Sequence, residues 1–475
     1  MLMAMIMFVG RVQELKILHR EYDRSRPSLC EVLGRRRVGK STLLLKSVEG
    51  RQHIYYQASK LTDLDNQILF KQVIKAELGF DPILDSLNDW DGIFSYLQQV
   101  AENKQPGLTV ILDEFPYLCE SQPGLPSILQ RAWDRIQAKA SPINLVLCGS
   151  KISFMEELLA ERNPLRGRQT VELDVAPLTY RDAACCFPDW SPIEQLYAYG
   201  VFGGMPYYLS LCDPSASLST NIREVILDRG AALHDEPNLL LQGELTSVSR
   251  YASILRAIAD GCTEWGDILG RVRDLKDGSQ LAPYIKKLEG LRLVQIPRSL
   301  DADERQRQHR YYLDDPFLFF WYRFVLPNRS ALESGHAQVV YERVIEPFLD
   351  DYMGGIFERV CQEYMRWYGQ ELLEVPAQEV GRIWTGDFDI DVAGKLLDGA
   401  AFYGECKWWK NPVGENVLDR LIETSAKTVY GRGKGSTTRH YIIFTRQGFT
   451  PALQARAAAN PQIHLVTPEK LLGKG

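Results

Sequence analysis

The sequence predicts a multidomain α/β chain, and three observations carry that expectation. An apolar run feeds a glycine-framed loop that ends in lysine, apolar runs alternate with helical stretches around it, and a second, acid-rich hairpin pattern lies towards the C-terminus. At 475 residues the chain exceeds what one hydrophobic core organises, so two to four domains are expected. An apolar content of 45% with 24% charged residues is that of a folded globular protein. The net charge of -6 supplies no global argument for a nucleic-acid binder, so partners must be read from local motifs.

The nine cysteines form no C-x-x-C pair, which argues for reduced thiols, against zinc, and for a cytoplasmic location. Residues 1–9 are apolar but too short to span a bilayer and lack a basic start and a cleavage site. They read as an alternative-start tail, and no other run reaches membrane-spanning length.

The first element to justify is the run at 28–33, which leads into Gly34, Arg35, Arg36, Arg37, Val38, Gly39, Lys40, Ser41 and Thr42, a complete G-x-x-x-x-G-K-[ST] loop. Backbone N–H groups can turn together towards one anion where glycine frees the backbone, as Gly34 and Gly39 do here. Lys40 is placed to neutralise β- and γ-phosphates and Ser41 to ligate Mg²⁺. The helix that follows directs its positive end at the phosphates. Further buried strands are expected at 53–57, 108–112 and 143–147, with a helix over 64–78, giving a parallel sheet that occupies residues 1–174.

The run 108–112 ends in Asp113 and Glu114, suited to the Mg²⁺ shell and to polarising the attacking water, on a strand expected beside the phosphate-loop strand. Ser150, after the run 143–147, is a candidate γ-phosphate sensor. Arg162, Arg166 and Arg168 follow, and Arg168 is the candidate finger for a neighbouring subunit's site, which would imply a homo-oligomer; a solvated charge run accounts for them equally well.

Residues 175–245 read as a helical lid. Residues 246–326 carry helices with apolar faces at Tyr251, Ile254, Leu255 and Ile258 and at Leu281, Ile285 and Leu288, the second capped by Ser279. A two-stranded wing follows over 291–298 and 310–313, around a charged loop at 299–309, so a winged helix is expected. The aromatic stretch 316–324 reads as a packing helix end rather than a base-stacking surface. Residues 327–336 read as a linker into a last domain that ends at 475.

In that domain, strands at 386–393 and 401–408 flank a turn at 396–399. Alternation places Asp389 and Asp391 on one face of the first strand, and Glu405 and Lys407 on one face of the second. Carboxylates that hold Mg²⁺ or Mn²⁺ beside a lysine suit phosphodiester hydrolysis. A cross-strand salt bridge is the plainer account of the same residues. Lys407, Lys410, Arg420, Lys427, Arg432, Lys434 and Arg439, interleaved with Trp408, Trp409 and Tyr430, offer a basic, aromatic surface for DNA.

Over nearly its whole length the chain resembles the archaeal and bacterial STAND-type ATPases, a branch of the AAA+-related P-loop proteins, in the group that carries a C-terminal DUF234 domain. The resemblance rests on Phe8, Val9, Gly10 and Arg11 with Glu14 and Leu15, on the arginine-rich loop from Gly34 to Ser41, and on Leu112, Asp113, Glu114, Phe115, Pro116, Tyr117 and Leu118. It extends through Pro164, Leu165, Arg166, Gly167 and Arg168, through Gly203, Gly204, Met205, Pro206, Tyr207 and Tyr208, and through the Asp315, Pro316 and Phe317 block. It implies that Gly10 and Arg11 lie near the adenine and that Pro206 belongs to a nucleotide-state sensor.

The last domain also resembles the PD-(D/E)xK restriction-endonuclease-like core. That resemblance implies Asp391 and Glu405 as metal ligands, Lys407 as the catalytic lysine and Glu358 as an upstream acid. The expected whole is a P-loop NTPase sheet, a helical lid, a winged helix and a restriction-endonuclease-like α/β domain. Its expected cofactors are ATP and Mg²⁺, with Mg²⁺ or Mn²⁺ at the second site, and its expected partner is DNA.

Overall fold

The computed structural model describes residues 8–152, 154–155, 163–245, 247–275, 277–302, 309–428, 430 and 438–474. Residues 1–7, Arg162, Arg432, Lys434 and most of the loop 299–309, all singled out above, lie outside them. The chain divides into two compact units, one of residues 1–178 with 205–207, the other of 179–204 with 208–475.

In the first unit, runs of apolar residues long enough for a strand but bounded by turns become β1 (Ser28–Leu33), β2 (His53–Gln57), β3 (Leu108–Asp113), β4 (Ile143–Gly149) and β5 (Val171–Asp174). All are parallel, in the order β2-β3-β4-β1-β5. β1, β3 and β4 are buried at every position, as strands covered on both faces must be. Helices are started by side chains that take up free N–H groups: Thr62 accepts from Asp65 N before Asp63–Leu78, and Asp89 from Gly92 N before Trp90–Asn103. Phe70, Trp90, Phe94 and Trp133 on these and neighbouring helices close one face of the sheet over Ile54, Val110 and Leu145.

β3 is not the neighbour of β1, contrary to the sequence expectation: β4 lies between them. A chain order of strands says nothing about which later strand inserts beside β1, and two fully apolar strands are equally suited to that slot. β5 escapes the apolar pattern because Val171 and Glu172 alternate with Leu173 on an edge strand.

In the second unit, the helices Val248–Ala259, Trp265–Arg271 and Gly278–Gly290 bury Ile254, Leu255, Ile258, Leu281, Ile285 and Leu288 and are followed by the antiparallel pair β6 (Val294–Gln295) and β7 (Tyr312–Leu313). The cap of the third helix is Asp277 rather than Ser279. Its carboxylate accepts from Ser279 N and Gln280 N, and the Ser279 hydroxyl donates to it at 2.5 Å.

The aromatic stretch packs inward, with Phe317, Phe320, Trp321 and Tyr322 all buried. Residues expected as a linker are helical instead: Leu326–Asn328 and Arg329–Glu333 continue the helical path, and Leu332 is fully buried. The C-terminal sheet comprises β8 (Ala377–Trp384), β9 (Asp389–Leu396), β10 (Ala401–Lys407), β11 (Arg439–Thr445) and β12 (Ile463–Val466), in the order β12-β11-β10-β9-β8. β8, β9 and β10 are antiparallel neighbours, whereas β10, β11 and β12 run parallel. The helix Leu349–Trp367 lies against β8, β9 and β10.

Candidate functional site

The phosphate loop starts where β1 ends. Gly34 sits at φ 153°, and a Cβ there would meet the Val175 carbonyl oxygen at 2.5 Å, so only glycine fits this close approach. Gly39 at φ 89° ends the loop as the residue before the helix Lys40–Ser47. Arg37, at φ 71°, lays its guanidinium over the Tyr207 ring at 4.5 Å. Pro206 packs on Gly39, 3.5 Å from where a Cβ would stand. The Pro206 block therefore lies against the loop, and Arg37 serves that packing. Arg35 is buried, whereas Arg36 and Thr42 are exposed.

Arg11 is buried and donates from one guanidinium nitrogen to the Val38 carbonyl at 3.0 Å, while the other pairs with Glu14 at 2.9 Å. Gly10 and Arg11 both adopt left-handed backbone angles, at φ 65° and 62°. Arg11 thus braces the phosphate loop from behind.

Lys40 is buried and its Nζ donates to the carbonyls of Gly34 at 2.8 Å and Arg35 at 3.0 Å, which holds the ammonium inside the loop. The Ser41 hydroxyl, on the helix after β1, donates to Asp113 Oδ2 at 2.6 Å, although β4 lies between β1 and β3. Tyr55 on β2 donates to the same oxygen at 2.5 Å, and Asp113 Oδ1 accepts from Glu114 N at 2.9 Å. Burial and the Asp113 charge together hold the Tyr55 hydroxyl well above its usual range, so it stays a proton donor.

Ser150, at the end of β4, donates to Glu114 Oε1 at 2.7 Å, with Oε2 at 2.9 Å. Glu114 itself sits at φ 54°, a left-handed angle that strains any residue carrying a Cβ. Hard oxygens on Ser41 and Asp113, one of them charged, would suit Mg²⁺.

Tyr55 was not among the sequence candidates. Its signal was a hydroxyl near the end of the strand beside β3, which becomes readable only once the strand order is known. Arg168 is not brought to this site. It precedes β5, at the edge of the sheet where the strands begin, opposite the loop, and pairs with Asp134 at 2.9 and 3.1 Å. Its pair with half-exposed Asp134 suits a solvated charge run, and the finger reading requires a neighbouring subunit's site.

In the second unit the hairpin brings Asp391 and Glu405 to adjacent strands. Buried Asp391 accepts from Cys406 N at 2.9 Å, and Gln362 on the long helix donates to the Asp391 carbonyl at 2.8 Å. Lys407 pairs with Glu405 at 2.6 Å. Arg382 on β8 pairs with Glu358 at 2.8 Å and stands 3.8 Å from Asp391 and 4.0 Å from Asp389. Burial raises the Glu358 carboxyl to about 7 despite Arg382, and burial also raises Asp391 and Glu405.

Of the candidates, Glu358 and Asp391 meet at Arg382, which the sequence reading did not name, and Glu405 meets Lys407. Among the described residues no group of three or more His, Cys, Asp or Glu is arranged to hold a metal ion. The expected metal at Asp391, Glu405 and Glu358 therefore does not fit this arrangement, in which each acid is already met by an N–H group or a cation. Trp408 and Tyr430 are buried rather than offered to a base, and Trp408 packs edge-on against Tyr197 at 5.4 Å; Trp409 is exposed, with the Lys407 ammonium 5.3 Å from its ring.

Residues 8–211 match the model of an ATPase domain predominantly from Archaea, and residues 321–420 match that of DUF234, archaeal and bacterial proteins of unknown function. An uncharacterised protein of Methanocaldococcus jannaschii is 31% identical over 434 residues, covering 90% of this chain and 92% of its own length. An uncharacterised ATP-binding protein of the same organism is 39% identical over 49 residues, 10% of this chain and 83% of the relative. A Walker-type ATPase of Pyrococcus abyssi shares the fold, with a TM-score of 0.51 and 18% identity, over 66% of this chain and 96% of that one. No helix among the described residues is long and apolar enough to cross a membrane. With a full phosphate loop, an acidic strand end beside it and a relative aligned along almost all of both chains, the protein belongs to the family of P-loop ATPases that join an archaeal-type ATPase domain to a C-terminal DUF234 domain.

Proposed function

We propose that the protein is an ATP-hydrolysing switch that controls a DNA-directed C-terminal domain of nuclease-like build. The hydrogen-bonded set Lys40, Ser41, Asp113, Glu114 and Ser150 carries the first half of this reading. Lys40 and the loop N–H groups bind the phosphates, and Ser41 and Asp113 would hold Mg²⁺, which supplies charge neutralisation when bound. Glu114 orients and polarises a water, and Ser150 holds Glu114 in place. The second half is supported by the hairpin that sets Asp391, Glu405 and Lys407 side by side at one end of β9 and β10. Three helices from Val248–Ala259 to Gly278–Gly290 followed by the antiparallel pair β6 and β7 support a winged-helix reading, in which exposed Lys286 would contact DNA.

Purified protein incubated with single- and double-stranded DNA and Mg²⁺ or Mn²⁺, with and without ATP, tests the output. ATP-dependent cleavage that disappears in Lys407→Ala supports a nuclease. If wild type and variant leave every substrate equally intact, the nuclease is gone and a second reading stands: an ATP-switched regulator whose C-terminal fold binds without cutting. The ion pairs on Glu358 and Glu405 favour that second reading.

A further inference from the structure

The helix Leu349–Trp367 buries Tyr352, Met353, Ile356, Val360 and Tyr364, and sets Gly355, Glu358, Arg359 and Gln362 on another side at spacings of three and four residues. These four line a cleft of about 180 Å³ within the second unit. Ile258 on the helix Val248–Ala259, Leu313 on β7 and Phe319 supply apolar lining, and Arg382 on β8 adds a second guanidinium. Gly355 keeps the space open: a Cβ there would meet nothing within 4 Å, and a mid-helix glycine is otherwise a weakness.

Arg359 forms no ion pair among the described residues. Its guanidinium donates to the Leu313 carbonyl and stands 5.5 Å from the centre of the Tyr312 ring and 5.9 Å from that of Phe319. Burial pushes this guanidinium below its usual range, Asp314 draws it up, and Arg382 pushes it down again. On Arg382 one terminal nitrogen pairs with Glu358 at 2.8 Å, but the buried Nε has no hydrogen-bond partner among the described residues. A buried charge is normally paired and a buried donor normally bonded, so two exceptions lining one cleft call for an anionic partner.

We infer that this cleft binds a small organic monoanion, a carboxylate carried on an aromatic or branched apolar body. A cavity of roughly 150 Å³ holds a benzene ring, so the cleft takes a body of that order with its carboxylate on Arg359. A guanidinium meets a carboxylate with two parallel N–H bonds. One negative charge suits the site better than the two of a phosphate monoester, because Glu358 shares the lining and already engages Arg382. The bound molecule would join the helix Val248–Ala259 and β7 to the helix Leu349–Trp367, the position of an effector. Neither DNA nor a metal at Asp391 is needed for it to bind.

The full chain, its phosphate loop kept filled by excess ADP, is titrated with benzoate, with the neutral isostere benzamide and with phenyl phosphate, and binding is read by ligand-observed NMR. Benzoate is expected to bind about tenfold more tightly than benzamide and about threefold more tightly than phenyl phosphate. Arg359→Gln is expected to lower benzoate affinity about tenfold and to leave benzamide unchanged. Gly355→Leu, which fills the cleft and keeps both arginines, is expected to abolish binding of all three. Gly355 is exposed on a helix, so this variant carries the test should Arg359→Gln fail to fold. Equal affinity of wild type for benzoate and benzamide overturns the anion, and tighter binding of phenyl phosphate overturns the single charge. Benzoate affinity unchanged in Arg359→Gln overturns Arg359 as its partner. No binding of benzoate, or binding that survives Gly355→Leu, overturns the cleft as the site.

Discussion

At the end of β3, Asp113 takes its hydrogen bonds from the neutral hydroxyls of Ser41 and Tyr55 and from Glu114 N, whereas on β9 Asp391 accepts from Cys406 N and faces the guanidinium of Arg382. Both sites contain an aspartate, a glutamate and a lysine near strand ends. In the first, Lys40 is bonded to loop carbonyls and leaves Asp113 and Glu114 unneutralised. In the second, Lys407 and Arg382 lie directly on Glu405 and Glu358. Neutral partners orient a carboxylate and keep its charge for an incoming ion; cationic partners spend that charge in advance. The same residue types thus leave the carboxylate charge free at one site and paired with cations at the other.

The largest effect expected from this contrast is that of Lys40→Ala, which should abolish nucleotide binding and lower ATP turnover by about 10³-fold or more. A fluorescent ATP analogue and a phosphate-release assay check both. Lys407→Ala should leave ATP turnover within about twofold, since its charge answers Glu405 and Asp391 of the C-terminal sheet; a loss like that of Lys40→Ala would break the separation of the two sites. Next comes Glu114→Gln, expected to cost about 10²–10³-fold in kcat while ATP affinity holds, because the amide still accepts from Ser150 but polarises water poorly. Wild-type turnover in that variant would remove the role given to Glu114.

Smaller again is Tyr55→Phe. It removes one neutral hydrogen bond from the carboxylate expected to hold Mg²⁺, and the Mg²⁺ concentration that half-saturates turnover should rise by about tenfold. An unchanged Mg²⁺ dependence would mean that Tyr55 only packs.

A further test lies in the strand that delivers the loop. Glu31, in the middle of β1, is almost fully buried, with Gln169 donating to it at 3.2 Å, and burial raises its carboxyl to about 7. The folded state therefore holds the Glu31 proton more tightly than the unfolded chain does. Stability from the protonated form is complete below the ordinary glutamate range and is lost as pH rises from there through about 7, by about 3 kcal/mol at most. Glu31→Gln should flatten the urea midpoint across that window and raise it at pH 8. A midpoint that falls at pH 8 would show that the charge is wanted.

How much of this could be read from the residues alone differs between the two sites for physical reasons. The limits of β1 and β2 follow directly from continuous or alternating apolar runs, and the loop chemistry from glycine and lysine at set positions. Tyr55 and the insertion of β4 are facts of strand order, which no local pattern encodes. Arg382 stayed hidden because β8 is mostly half-exposed and its sequence, with Glu379 and Arg382, resembles a solvated edge. The cap at Asp277 was obscured by a second good cap two residues on, and only geometry shows which oxygen meets the free N–H groups. The linker expected at 327–336 is polar along most of its length, and the single buried Leu332 anchors it as helix.

The positive φ of Glu114 sets a trade between durability and turnover. A residue with a Cβ pays about 1 kcal/mol to rest at φ 54°, a sum that glycine would save. Replacing Glu114 by glycine would relax the backbone and forfeit the Ser150 hydrogen bond and the water-polarising group. At this position a sturdier protein and a working one call for different residues, and selection for thermal endurance alone would drift towards an inert nucleotide binder.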